Sequence, residues 1–226
     1  MHSEHPEGAP PSPVRVAIVD DQPLYRDMLA SVLSATAELE VVVVAEGAAE
    51  ARRQISRHQI DVAILDVDLV DGSGVGLGIQ LRRVDASIGI VLISAQDVME
   101  LLLDLPADVR RGWSYLSKNS PLTSTDTIVQ AVLATARGET VLDPQLVATA
   151  LPRSGSSLAG LSPRQYQVLQ LVAQGLSNAG VAEVLGISPR SVENHLNLIY
   201  AALDLPAENN SRVSAVLRLI EESSRA

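Results

Sequence analysis

The sequence predicts two joined folds. One is a doubly wound α/β domain on a five-stranded parallel sheet, the other a small all-α domain of helix-turn-helix type. Three observations carry this. Five short apolar runs alternate with stretches of helical period through residues 14–137, the pattern of parallel β-α units. Four of those runs end on chemically pointed residues: Asp20-Asp21, Asp66, Ser94 and Lys118. From Leu161 onward the strand pattern stops, and Ser-capped helical stretches separated by glycines take over.

Residues 1–13, rich in Pro, Glu and Gly, are expected to be a disordered tail. "VRVAIVDD" reads as the first strand. Pro23 then opens a helix on which Leu24, Met28, Leu29 and Val32 recur at helical spacing. "LEVVVVAEG" is a second strand and "AAEARRQISRHQ" a second helix. "DVAILDVDLVDGSG" delivers Asp66 to the end of a buried strand just before a Gly/Ser turn, and a helix follows around Val75–Val84 with Leu77 and Leu81 on one face. "SIGIVLIS" ends at Ser94, and a helix from Gln96 is cut by Pro106. "WSYLSK" ends at Lys118, and Pro121–Arg137 is a helix with Ile128, Val132 and Leu133 inward.

Residues 138–160 hold a short helix and then a Ser/Gly stretch, the composition of a flexible linker. In the second domain, 161–226, Ser162 caps "PRQYQVLQLVAQ" and Gly175 stops it. Ser177 caps "NAGVAEVLG", Gly186 turns the chain, and Ser188 caps a longer helix with Pro189 at its first position. A short helix, a Gly turn and a longer helix make the helix-turn-helix signature. On the longer helix Val192, Leu196, Ile199 and Leu203 form one buried stripe, which leaves Arg190, Glu193, Asn194, Asn197 and Ala201 facing out. The last helix carries Val213, Val216, Leu217 and Ile220 on one face, suited to packing on its own domain or to a dimer seam.

Composition narrows the function classes. The chain of 226 residues has no Cys, which excludes disulfides, thiolate metal sites and Cys nucleophiles. It has no apolar run of membrane-spanning length and no signal-like start, so a cytoplasmic protein away from the membrane is expected. The net charge of −10 is uneven: residues 1–157 hold 12 basic and 21 acidic residues, residues 158–226 hold 5 and 6. Arg outnumbers Lys 16 to 1, which singles out Lys118.

In a doubly wound sheet the carboxyl ends of the strands gather on one edge. Acid, acid, hydroxyl and amine should therefore converge on one crevice. Three clustered carboxylates raise one another's pKa unless a hard cation sits among them. Mg²⁺ suits such a set, having a preference for oxygen ligands and for a phosphate to complete its shell. With Mg²⁺ and the Lys118 ammonium neutralising phosphoryl oxygens, a carboxylate can act as nucleophile on phosphorus. The Ser94 hydroxyl could then bond the new phosphate and draw its loop inward, a switch and not a turnover site.

With those residues in view, 14–137 resembles a response-regulator receiver domain. The resemblance implies Asp66 as phospho-acceptor and Asp21 and Asp66 as direct Mg²⁺ ligands. Asp20 assists through water, and the main-chain carbonyl of Asp68 completes the set. It also implies Ser94 as switch hydroxyl, Lys118 as phosphate lysine, Tyr115 as switch aromatic and a sensor histidine kinase as partner. Val70 stands where the family has Pro, and Pro106 sits inside the usual output segment. "ILDVDLV" also fits the DxDx[T/V] motif of haloacid-dehalogenase-type phosphatases, in which Asp68 would be the general acid/base; those enzymes carry further acidic ligands after the lysine, whereas here the acid pair lies before it.

"LSPRQYQVLQLVAQGLSNAGVAEVLGISPRSVENHL" is similar to the C-terminal domain of NarL/LuxR-type regulators. That implies a homodimer through the last helix, bound to paired DNA half-sites, with Arg190, Ser191, Glu193, Asn194 and Asn197 at the reading face and Arg164 and Arg212 beside it. Glu193 replaces the usual lysine, and Asn197 and Ala201-Ala202 stand where basic residues are usual. Asn194 and Asn197 can read adenine edges and Glu193 can accept from cytosine, but phosphate anchoring, which supplies most affinity, is thin. Two functions follow: a phosphorylation-gated transcription factor with weak DNA binding, or an adaptor whose helix-turn-helix binds protein.

Overall fold

The computed structural model describes residues 12–56, 59–96, 105–106, 112–121, 123–205 and 211–225. Most of the expected tail and most of the helix expected from Gln96 lie outside the described residues.

Five strands form one sheet in the order β2-β1-β3-β6-β7: β1 (Val14–Val19), β2 (Leu39–Ala45), β3 (Val62–Asp66), β6 (Gly89–Ser94) and β7 (Trp113–Ser117). Every pairing in it is parallel. Side chains on a strand alternate between faces, and both faces here are covered, so the runs are apolar throughout. Val16, Ile18, Val62, Ile64 and Ile93 pack with Leu29 and Leu33 of α1 (Pro23–Ser34) and with Ile128 and Val132 of α4 (Thr125–Ala136). Ala17, Leu65, Leu92 and Trp113 face Ala51 and Ile55 of α2 (Ala48–Ile55) and Leu77 of α3 (Gly74–Val84).

Helix α4 begins four residues later than its apolar spacing suggests. Pro121 lies in a turn, and Ser124 caps the helix by accepting from the Thr127 amide. A short antiparallel hairpin, β4 (Asp68–Leu69) with β5 (Gly72–Ser73), follows Asp66 and was not foreseen from the sequence.

The second domain comprises α6 (Pro163–Ala173), α7 (Asn178–Leu185), α8 (Pro189–Ala202) and α9 (Ser211–Glu222). The expected caps form: Ser162 with a full capping box to Gln165, then Ser177 and Ser188. Gly186 ends α7 in the left-handed conformation at φ 62°, where a Cβ is penalised. Val192, Leu196, Ile199 and Leu203 are buried as one stripe. Val213, Val216 and Ile220 of α9 are buried within their own chain. Of the two uses that stripe suits, packing on its own domain accounts for Val213, Val216 and Ile220, while Leu217 stays partly exposed.

The segment after Gly138, read from composition as flexible, is folded and touches both domains. Val141 accepts from the Tyr115 amide at the edge strand β7, while the amide of Leu142 donates to Ala173 at the end of α6, each at 2.8 Å. Glu139 lies 3.8 Å from Arg212 of α9. A six-residue helix α5 (Pro144–Thr149) leads to β8 (Ala150–Pro152), which pairs antiparallel with β9 (Ser223–Arg225). Leu158 of the Ser/Gly stretch is buried, its amide held by the Glu222 carboxylate.

Asp143 is the pin of this segment. It is fully buried and accepts three hydrogen bonds: from the Ser117 amide (3.1 Å), the Thr123 hydroxyl (2.7 Å) and the Gln145 amide that starts α5 (2.9 Å). Its removal leaves three partly buried donors without their acceptor at once. Asp143→Ala is expected to lower unfolding stability by about 2–4 kcal/mol, read as a lower urea midpoint; a midpoint equal to wild type contradicts the role.

Candidate functional site

The topology places the site. β1 and β3 are neighbours at the point where the strand order reverses, so Asp20 and Asp66 stand side by side at the carboxyl edge. Lys118, one residue past β7, reaches across and lies 2.7 Å from Asp20 and 2.8 Å from Asp66. All three side chains are almost fully enclosed, at 2–5% exposure. Asp21 completes the cluster: ligand oxygens of Asp20, Asp21 and Asp66 lie within 4.8 Å of one another.

Electrostatics follow from that packing. Burial raises the Asp66 carboxyl above the usual range and the charge of Asp20 raises it further, against the pull of Lys118. Three carboxylates and one ammonium leave the pocket with two uncompensated negative charges, which a hard cation fits. The donor set is entirely oxygen, as Mg²⁺ requires. Over Lys118 stands Tyr25 of α1, its ring centroid 4.7 Å from Nζ. Burial, then Asp20 and Asp66, push its phenol up to about 12, so it remains neutral at ordinary pH.

The surrounding loops are tightly tied. A Cβ on Gly74 would lie 1.9 Å from the Asp66 carbonyl oxygen, so only glycine fits where α3 begins. Asp71 accepts from the Ala48 and Ala49 amides at 2.7 and 2.8 Å, capping α2 from the far side of the acceptor loop; those hydrogen bonds hold its carboxyl below the usual range. Ser94, buried at the end of β6, accepts from the Gln96 amide at 3.0 Å. Tyr115 is fully buried, and its hydroxyl donates to the Gln96 carbonyl at 2.5 Å. The two expected switch residues thus meet at one residue, Gln96, one at its amide and the other at its carbonyl. The Asp68 amide faces Asp66 at 3.4 Å while its side chain is exposed; Val70 is also exposed.

The layout differs from that of the phosphatases. After Lys118 the buried acid is Asp143, whose oxygens are occupied by Ser117, Thr123 and Gln145. Among the described residues the sole cluster of potential metal ligands is Asp20, Asp21 and Asp66.

At the helix-turn-helix, Arg190, Glu193, Asn194 and Asn197 are exposed and line one shallow groove with Asn178 and Pro189. Ser191 is partly turned to the cap, its hydroxyl 2.8 Å from that of Ser188. Arg164 donates to the Leu185 carbonyl and to Gln167. Arg212 lies next to that groove, its guanidinium donating to the Leu176 carbonyl and to Asn178 and lying 3.8 Å from Glu139. Arg218 pairs with Glu222 at 3.2 Å. Sequence reasoning missed Tyr25, Asp71, Gly74 and Asp143, although Gly74 after a Gly/Ser turn is a legible signal of close backbone approach.

Comparison with known proteins gives the same two-part division. Residues 16–130 match the response regulator receiver domain, and residues 159–218 match bacterial regulatory proteins of the luxR family. The transcriptional regulatory protein NarL of Mycobacterium tuberculosis is 31% identical over 216 residues, spanning 94% of this chain and 96% of that protein. The nitrate/nitrite response regulator protein NarP of Escherichia coli is 30% identical, spanning 93% and 96%. Among solved structures, the receiver domain of M. tuberculosis NarL has 32% identity and a TM-score of 0.50, covering 57% of this chain and all of that one. RcsB dimers bound to DNA, at 19% identity and TM-score 0.50 over 93% of this chain and 99% of that one, share the fold.

The raised Asp66 pKa fixes a sign. The folded state holds this proton more tightly than the unfolded chain, so the term favours folding in acid and is lost as pH rises through the folded pKa. Asp66→Asn removes the buried charge. It is expected to raise the melting temperature at pH 7 in chelator by about 2–4 °C, the shift of one kcal/mol in a chain of this size, with the gap closing in acid. A lower melting temperature at pH 7 contradicts this.

Proposed function

The chain belongs to the NarL/LuxR-type response regulators, and on that footing we propose that it accepts a phosphoryl group on Asp66 and relays that event to its helix-turn-helix to control transcription. The family regulates transcription and is not one of turnover enzymes. The supporting observation is the lysine bridge: the single Lys of the chain lies 2.7 Å from Asp20 and 2.8 Å from Asp66 at the edge where open sheets build sites.

Receiver domains are partnered by histidine kinases. In the proposed step an Asp66 oxygen bonds phosphorus while the phosphorus–nitrogen bond of a kinase phosphohistidine breaks, and the leaving imidazole takes up a proton. Lys118 then turns its charge to the phosphoryl oxygens. Receiver domains bind Mg²⁺ at an acidic pocket of this kind; here Asp20, Asp21, Asp66 and the main-chain carbonyl of Asp68 would hold it, and when bound it neutralises phosphoryl charge. The Ser94 hydroxyl leaves the Gln96 amide for a phosphoryl oxygen. Tyr115, bonded to the carbonyl of the same residue, would register the change at the edge where Val141 and Asp143 join the linker.

On the output side, Asn194 and Asn197 would read adenine edges and Glu193 a cytosine amine. With Arg212 and Arg218 bonded within the chain, phosphates would be met by Arg190 and by Arg164, which would share its guanidinium with the Leu185 carbonyl and Gln167. A homodimer, implied by the family, would use the partly exposed side of α9 that includes Leu217. The adaptor reading draws on Leu198, 57% exposed on the reading helix.

Fluorescence anisotropy with genomic fragments, with and without a small phosphodonor, tests this. Phosphorylation is expected to tighten binding in wild type and not in Asp66→Asn. The slope of log affinity against log salt is expected to be about −2 per protomer, since two phosphate contacts release few counterions. No binding at low salt in either state, with Asp66 labelled, would favour the adaptor.

A further inference from the structure

We propose that Tyr25 is a positioning residue for the phosphorylation site, its ring face holding the Lys118 ammonium against the acceptor carboxylates and so setting the lifetime of the aspartyl phosphate. This rests on the reading of Asp66 as phospho-acceptor.

Lys118 has three N–H donors. Asp20 takes one direction and Asp66 another, at 2.7 and 2.8 Å. The remaining side is covered by the Tyr25 ring, whose centroid is 4.7 Å from Nζ, within the range where an ammonium is attracted to an aromatic face. With only 4% of its side chain exposed, Lys118 is walled off from water by two carboxylates and a ring. A desolvated ammonium keeps nearly all of its charge for the oxygens it touches, because little is screened.

Tyr25 is firmly mounted. Pro23 fixes the first turn of α1, and one turn below the ring Leu29 is fully buried. Arg26, the next residue, donates to the Asp20 carbonyl at 2.7 Å and staples the helix to the end of β1. Away from Lys118, the residue lines an open groove with Asp21, Gln22, Pro23, Leu24 and Met28. The ring therefore separates that solvent-filled groove from the ammonium. When the acceptor carries a phosphoryl group and Lys118 turns to its oxygens, the ring holds the ammonium there and keeps groove water from displacing it. Tyr25 touches neither phosphorus nor the attacking oxygen; it acts through Lys118.

The test separates ring face, hydroxyl and bulk. Wild type, Tyr25→Phe, Tyr25→Leu and Tyr25→Ala are labelled with acetyl phosphate and Mg²⁺, the donor is removed, and loss of the acyl phosphate is timed; the Lys118 ammonium resonance is followed in parallel by ¹⁵N NMR. Tyr25→Phe keeps the face and is expected to match wild type within about twofold in lifetime, with the lysine resonance retained. Tyr25→Leu keeps the bulk without the face. It is expected to shorten the lifetime on the order of 3- to 10-fold and to speed proton exchange at Lys118, with Tyr25→Ala at least as affected. A purely structural role would leave Leu close to wild type at both readouts, and that result overturns the inference. Phe behaving like Leu also overturns it, because the hydroxyl would then be the active part. Absence of label on wild type overturns the phosphorylation reading together with this inference, whereas label that decays alike in wild type and Leu overturns the inference alone.

Discussion

Two buried carboxylates on adjacent strands cannot both stay ionised in a dry crevice without a cation between them. In this chain that cation is one lysine from the far edge strand. Asp20 and Asp66 are fixed by the β1–β3 register, and Lys118 is fixed by the β6–β7 register, its backbone N–H donating to the Ser94 carbonyl. With Asp21 the cluster remains short of positive charge, and burial, helped by the charge of Asp20, raises the Asp66 carboxyl against the pull of Lys118. A pocket so balanced suits a divalent ion, and the proposed phosphoryl transfer would change its hydrogen bonds.

The route open to such a change is set by which residues share a hydrogen-bonding partner. Ser94 and Tyr115 both bond Gln96, one at its amide and the other at its carbonyl. The Tyr115 amide reaches Val141, and the residue before Lys118 donates its amide to Asp143. From there Leu142 bonds the end of α6, and Glu139 meets Arg212 of α9. The apolar core is continuous along the same route, from Trp113 and Tyr115 through Leu142 and Val147 to Val168 and Leu169. The two domains are thus joined by a folded splint, and Asp143 anchors it at the phosphorylation side.

The strand ends and the helix caps were legible because each is a local signal: an apolar run closing on Asp, Ser or Lys, or a serine two or three residues before an apolar period. The five-strand parallel order followed from alternation alone. What escaped is made by partners distant in sequence. The β8–β9 ribbon joins residues 70 or more apart, Asp71 caps a helix that starts 23 residues earlier, and Asp143 serves Ser117, 26 residues before it. Tyr25 looked like any residue on an amphipathic helix, since its role depends on a lysine 93 positions away. Arg212 was read as a DNA contact by its charge; its capture by Leu176, Asn178 and Glu139 has no sequence signature.

The central claim is that Asp66 is the atom-level target of phosphoryl transfer in a pocket organised by Lys118. It is tested most directly by treating the full chain with acetyl phosphate and Mg²⁺, trapping the acyl phosphate with borohydride and locating the reduced residue by peptide mass. Conversion of residue 66 to homoserine, lost in Asp66→Asn, is expected. Label on another residue, or none at all on a folded chain, would contradict it.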